Sequence, residues 1–337
     1  MVGPARRGLI ALLLTASVLG PIAIAGATAA AAVPQAPQVT LAVAQRVYTT
    51  TWLKFGQAFA LDQPSILKAL ATPRAFEVAT AMSSCGCGWE TPHSKVLFSI
   101  PPQKDYPESF LAQISTPAPP LSGYSPFVSI VVFTKSGANT PWQIAYFVRY
   151  AGALQYLDSS MASSTRRTLF PFSDVPAQLA EFFTSMVTTG SPPLGDSWTV
   201  SGTLAEELQS YQTTKSDIAA GGDQQQTQFE AVDHSVLFPY PNGDLMCASY
   251  ASHSTVTPSP GSPPIVQPQD QSTWSDLLSP GAYSSLSKLG MHDVCFSIDT
   301  VDNPHQDDTE AISFSGGVYQ IAGTSTSGSA SGPNSGA

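Results

Sequence analysis

Residues 126–150 read PFVSIVVFTKSGANTPWQIAYFVRY. Two runs, Pro126–Thr134 and Trp142–Tyr150, are rich in Val, Ile and aromatic residues, and Lys135–Asn139 between them has the composition of a turn. Branched and aromatic side chains suit a pleated surface, and a short Gly/Asn-bearing connection joins neighbouring strands. The stretch predicts an antiparallel hairpin.

Upstream, Lys95–Ile100 and Phe110–Ser115 are two more strand-like runs, broken by Pro and Gly clusters. Helical patterns precede them. Val39, Val43, Val47, Phe55 and Phe59 recur at helical spacing, Tyr48 and Trp52 widen the face, and the pattern ends near Asp62. Gln63-Pro64 and Thr72-Pro73 place Pro where a helix begins, which predicts two short helices up to about Met82. Downstream a similar order starts again. Val175–Thr188 reads as a helix capped by Ser173 or Asp174, with Pro176 in its first turn. Thr203–Glu206 has the capping-box spacing for a second helix, ending before Gly221-Gly222. Phe229–Tyr240 and Leu245–Val256 flank Asn242-Gly243, the strongest short hairpin signal in the chain. Thr257–Gln271, with five prolines, reads as irregular, Trp274–Leu289 as weakly helical, and Val294–Ile298 and Ile312–Ile321 as closing strands.

Helices followed by antiparallel hairpins, twice over, predict an α+β fold. The expected organisation is two tandem domains, each with helices laid on a curved, cone-like antiparallel sheet. They span 33–158 and 174–323, joined by a linker at 159–173 and followed by a disordered Ser/Gly-rich tail at 324–337.

The first half also carries a resemblance. Tyr48-x3-Trp52 with Ala58 and Asp62, Tyr106-Pro107-x2-Phe110, Val132-Phe133 and Pro141-Trp142-Gln143-Ile144-Ala145 are its points, over roughly residues 40–150. In these it resembles a family of exported proteins and lipoproteins of high-GC Gram-positive bacteria, a domain of unknown function. The element order is similar to that of nuclear-transport-factor-like and cystatin-like domains. The resemblance implies an exported protein and a cone-shaped fold, and no activity. The lipid-modified cysteine of some members is absent here.

The N-terminus agrees with export. Arg6-Arg7 precede an uncharged stretch, Leu9–Ala25, and then Ala29–Ala32 before Val33-Pro34. This is the layout of a cleaved signal peptide over residues 1–32; an uncleaved anchor is the alternative, since the run nears the length of about 20 residues that crosses a bilayer. No later segment is long and apolar enough to span a membrane. The expected location is secreted or at the cell envelope.

Charged residues make up only 11% of the chain, against about 25% in an ordinary soluble protein. Residues 33–167 carry ten Lys/Arg and six Asp/Glu, a net of +4; residues 168–337 carry two, Lys215 and Lys288, against eighteen acids, a net of −16. Such a half repels phosphate backbones, which argues against nucleic acid, and attracts cations or a basic partner.

Four cysteines in an exported chain predict disulfides. Cys247 and Cys295 lie in two strand-like runs of one half, so a cross-strand Cys247–Cys295 bridge is expected, leaving Cys85 with Cys87. Cys85-Gly86-Cys87 is also the most concrete chemical candidate, a strained and exchangeable bridge near His93 and Lys95. Cys85, Cys87 and His93 as metal ligands is a further reading, disfavoured in an oxidising compartment. Asp299, Asp302, Asp307, Asp308 and Glu310 form an oxygen-rich segment without EF-hand spacing, read either as a calcium loop or as a solvated acidic loop. Ser65-x2-Lys68 and Ser285-x2-Lys288 match a Ser/Lys nucleophile pattern, Lys135-Ser136-Gly137 resembles its K-T-G companion and Tyr240-Pro241-Asn242 its middle motif, but the middle motif should precede K-T-G and here follows it. Trp89, Trp198 and Trp274 sit in Gly/Pro/Ser-rich surroundings, as ligand-stacking residues or as plugs onto the core. No cofactor-binding motif is present, so no cofactor is expected. The expected function is non-catalytic binding of a partner or ligand at the cell envelope, with thiol–disulfide exchange at Cys85/Cys87 as the alternative.

Overall fold

The computed structural model describes residues 39–83, 95–103, 105–116, 127–151, 175–193, 199–200, 202–232, 235–240, 243–266, 277–279, 281–299, 309–326 and 330–335. The first helical run starts at Thr40, whose hydroxyl accepts the Val43 N–H. It then passes through α1 (Leu41–Val47), a wider π turn at Tyr48–Trp52, and α2 (Leu53–Ala60). Thr49 and Thr50 sit in that turn and donate their hydroxyls back to Gln45 O and Arg46 O, 2.9 Å each. The extra residue of a π turn rotates the helix beyond it. Here Val47, Trp52, Phe55 and Phe59 all reach the core. α3 (Pro64–Leu70) and α4 (Pro73–Ser83) each open on proline, as the sequence predicts.

These helices face one sheet, β1 (Lys95–Ser99), β2 (Glu108–Thr116), β3 (Phe127–Lys135) and β4 (Gln143–Ala151), antiparallel in that order, and α4 also lies against strands of the second half. The predicted hairpin is β3–β4, with Thr140 Oγ1 accepting the Gly137 N–H in its turn. Alternation sends Phe110, Ala112, Ile114, Val131, Phe133 and Phe147 toward the helices. Phe147 meets Phe55 at 5.5 Å and Trp52 at 6.3 Å between ring centroids.

The second half begins with α5 (Val175–Thr189), β5 (Thr199–Val200) and α6 (Gly202–Ala220). β6 (Asp223–Ala231), β7 (Val236–Tyr240), β8 (Gly243–Pro258), β9 (Ile265–Val266), β10 (Ala282–Asp299), β11 (Thr309–Ser325) and β12 (Ala330–Ser335) complete it. Its main ladder runs β6-β8-β10-β11, with β7 extending along β8 past β6. The protein is thus α+β, with helices and antiparallel sheets, neither sheet closed. Among the described residues one bridge, Phe314 to Arg149, links the two ladders edgewise.

The larger contact between the halves is face to face. Leu111, Val128, Ile130, Val132, Tyr146 and Val148, on the second face of the first sheet, pack against Phe238, Leu245, Cys247 and Cys295. Further along the same face of the second sheet, Ala251 and Met291 join the core under α1–α4. The opposite face of the second sheet carries α5 and α6 over Phe229, Met246, Tyr250, Val294 and Phe296. Residues 36–337 form one compact unit. Polar groups stitch the seam: Asp293 accepts the Phe147 N–H (3.0 Å) and the Ser249 hydroxyl (2.7 Å), and the Ser99 hydroxyl donates to Pro239 O.

Three segments differ from expectation, and one helix boundary shifts. Trp274–Leu289 is not helical where described, because β10 already runs from Ala282. A bulge between Tyr283 and Ser285 puts Tyr283 and Leu286 in the same buried cluster, and their three-residue spacing imitates a helix. Phe229–Tyr240 is not one strand: β6 begins earlier, in the polar run from Asp223, and the edge of β8 is shared with β7. Past Thr324, where composition suggests disorder, β11 continues to Ser325 and β12 pairs with it. Thr203 lies one residue inside α6 rather than ahead of it.

Asp293→Ala leaves the Phe147 N–H and the Ser249 hydroxyl buried without this acceptor. The expected loss in urea unfolding is about 3 kcal/mol, against about 1 kcal/mol for Ser249→Ala.

Candidate functional site

One group of polar side chains brought together by the second sheet lies on the face under α6. β8 presents Tyr250, Ser252, Ser254 and Val256 on that face, and β10 presents His292, Gly290 and Lys288 opposite them. His292 Nε2 is 2.7 Å from Ser252 Oγ. From α6, the Tyr211 hydroxyl reaches Ser252 Oγ at 3.1 Å and His292 Nε2 at 3.4 Å. α6 brings Tyr211 there because Leu204, Leu208, Tyr211 and Ile218 recur at helical spacing and face the sheet. On the other side, β11 passes so close that a Cβ on Gly316 would stand 2.3 Å from Met291 O and 2.5 Å from His292 Nδ1. Only glycine fits there.

Aromatic rings enclose the trio. Phe229 lies 5.8 Å from the His292 ring and 5.6 Å from Tyr211; Phe183 touches Phe229 and Tyr250 at 5.7 and 5.3 Å. This burial disfavours charge. The His292 imidazole is pushed down to about 3 by desolvation. Tyr211 is pushed up to about 12, mainly by desolvation, with the Ser252 hydrogen bond opposing and Glu207 adding. Desolvation also raises Glu207, one turn before Tyr211. Further along the belt, Thr227 and Ser254 share a hydrogen bond of 2.8 Å, and Lys288, across the ladder from Ser254, is lowered to about 8 by desolvation.

A serine hydroxyl beside a neutral imidazole has the composition of a nucleophile and its base. Chemistry at Ser252 would also need room for a substrate. Ser252 and His292 are 3% and 1% exposed. The space bounded by Leu204, Glu207, Tyr211, Phe229, Tyr250 and His292 does not admit one water molecule. The trio is a polar plug that pins α6 to the sheet. In the sequence, His292 is one of five scattered histidines. The available signal was the alternation Tyr250, Ser252, Ser254, Val256, which puts hydroxyls on an otherwise apolar face.

The predicted Cys247–Cys295 disulfide is present. Its cysteines face each other across the β8–β10 ladder, with Cα atoms 4.1 Å apart, both fully buried at the seam between the sheets. Cys85, Cys87, His93, Trp89, Trp198 and Trp274 lie outside the described residues. So do Asp302, Asp307 and Asp308; Asp299 ends β10 and Glu310 lies in β11. Among the described residues no three His, Cys, Asp or Glu groups are gathered to hold a metal ion. Ser285 and Lys288 stand on a strand, three residues apart and so on opposite faces, which removes the one-turn geometry their motif needs. Ser65 and Lys68 are both exposed on α3.

An open groove of about 520 Å³ runs between α5 and β6. The α5 wall is Ala177, Ala180, Glu181, Thr184, Ser185 and Thr188, one face of the helix, and Gln228–Ala231 of β6 form the other. Thr184 Oγ1 accepts the Phe229 N–H at 2.8 Å and closes that part of the strand edge. No family model, no curated protein and no solved structure matches the chain.

Because His292 is held below its ordinary value, the unfolded chain takes up a proton that the native site refuses. Stability is therefore complete above about pH 6.5, falls as pH drops from there toward 3, and levels off below. Urea midpoints across that range should show the fall, and His292→Gln should flatten it. For the disulfide, Cys247→Ala with Cys295→Ala should cost about 4 kcal/mol, and dithiothreitol should cut the bridge in folded protein no faster than global unfolding.

Proposed function

We propose that this is an exported, non-catalytic protein that binds a partner or ligand outside the cytoplasmic membrane. The observation that carries the reading is the sealed packing round Ser252, His292 and Tyr211. A nucleophile–base pair is present, and aromatic side chains fill the volume a substrate would need. Three further features support the reading. The first 32 residues have the order of a signal peptide. A fully buried disulfide suits an oxidising compartment. No helix among the described residues is long and apolar enough to cross a membrane.

We read the two halves as tandem cone-like domains set sheet to sheet. α1–α3 over the first sheet and α5 over the second support this, while α4 lies on β10 and β11 and joins the two halves. The family resemblance over residues 40–150 points the same way. The binding function then falls to surfaces outside the packed interiors.

A fluorophosphonate serine probe should leave the folded protein unlabelled. Labelling at Ser252, abolished by Ser252→Ala, would make it an enzyme. Intact mass of protein exported from a secreting bacterial host should correspond to a chain starting near Val33.

A further inference from the structure

We propose that the groove between α5 and β6 receives an extended, basic peptide segment of a partner protein, with a Lys or Arg side chain drawn to Glu181 and Glu230; the proposal rests on the binding reading above. Shape is the first argument. The α5 wall runs from Ala177 to Thr188, roughly 16 Å of helix, which matches about five residues of extended chain. Its side chains are short, and Ala177, Ala180 and Ala231 supply methyl groups on which an aliphatic stem can lie. The groove holds about 520 Å³, within the range of ligand sites.

Charge is the second argument. Among the described residues, Glu181 and Glu230 are the charged side chains lining the groove, and both are exposed. The exposed His253 stands 3.8 Å from Glu230. At the Thr188 end, the Lys215 ammonium of α6 donates to Thr188 O. A cation is thus favoured toward Glu181, in the middle of α5, and disfavoured at the Thr188 end, where the Lys215 ammonium already stands. The surrounding half reinforces this polarity. Residues 168–337 hold eighteen acids and two lysines, and one of these, Lys288, is largely buried against the sheet. A half with that net charge favours a basic partner over an acidic one.

Hydrogen bonding sets the mode. β6 is the outermost strand of its ladder, but Thr184 already accepts the Phe229 N–H. The peptide therefore lies over the groove, held by its side chains, instead of adding as a strand.

The test uses the full exported chain with its disulfide intact and fluorescein-labelled hexapeptides alternating Ala with Lys, Gln or Glu, read by anisotropy. The Lys peptide should bind and the Gln and Glu peptides should not. Glu181→Gln with Glu230→Gln should weaken binding roughly fivefold or more. Ala177→Trp, at an exposed position that fills the groove, should abolish it without changing the circular dichroism spectrum. Glu206→Gln, on the exposed face of α6, should leave affinity unchanged. Three results would overturn the proposal: no binding of the Lys peptide, an equal loss with Glu206→Gln, or undiminished binding to Ala177→Trp. Full competition by spermidine at the same charge concentration would assign the groove to a small polycation and also overturn it. Each of these leaves the non-catalytic reading standing, because that reading fails separately, by labelling of Ser252.

Discussion

The second face of the first sheet is apolar along Leu111, Val128, Ile130, Val132, Tyr146 and Val148, and water is kept from it by one end of the second sheet. That contact makes two half-structures into one unit. A sheet with helices on a single face must bury its other face or leave it solvated. Here the cover is Phe238, Leu245 and the Cys247–Cys295 bridge, which locks β8 to β10 at the point of contact. The seam also has to satisfy the groups it dehydrates. Asp293 does so from both sides, accepting a backbone N–H from β4 and a hydroxyl from β8. Register is fixed by the same residues, because a shift of one residue along β10 would turn Asp293 and Cys295 to the opposite face together.

The other face of the second sheet divides its chemistry along its length. Phe182, Phe183, Phe229, Tyr250 and Phe296 make a dry cluster at one end, and Val256, Tyr283, Leu286 and Ile321 another. Hydroxyls, His292 and Lys288 lie between them. Polar groups in such a place are tolerated when they bond to one another. Ser252 with His292 and Tyr211, and Thr227 with Ser254, meet that condition. The resulting belt resembles a catalytic site in composition and differs from one in access. α6 lies over the belt, and β11 approaches so closely at Gly316 that a methyl group would not fit.

Much of the fold is legible in the chain because it is written locally. Prolines 64 and 73 open helices, Lys135–Asn139 turns a hairpin, and the Val/Phe/Trp stripe from Val39 marks the first core helix. Local patterns mislead where they are displaced by one residue. The bulge after Tyr283 makes a strand resemble a helix, and β6 begins in Asp-Gln-Gln-Gln, residues poor in strand preference whose place is decided by pairing with β8. The disulfide was legible because the cysteines are even in number and Cys247 and Cys295 each sit in a strand-like run. The Ser252–His292–Tyr211 trio was not, because its members are separated by up to 81 residues and each is common in type.

The sequence by itself determined the α+β class, most helix and strand positions and the acidic second half, and it favoured Cys247–Cys295 among three possible pairings. These depend on spacing, turn chemistry and composition, which act over a few residues or over the whole chain. Tertiary structure decided which face of each sheet meets the other, which hydroxyls gather round His292, and that this gathering is closed while the groove beside α5 is open. Access is a property of packing density around a group, and packing joins residues that no local pattern relates.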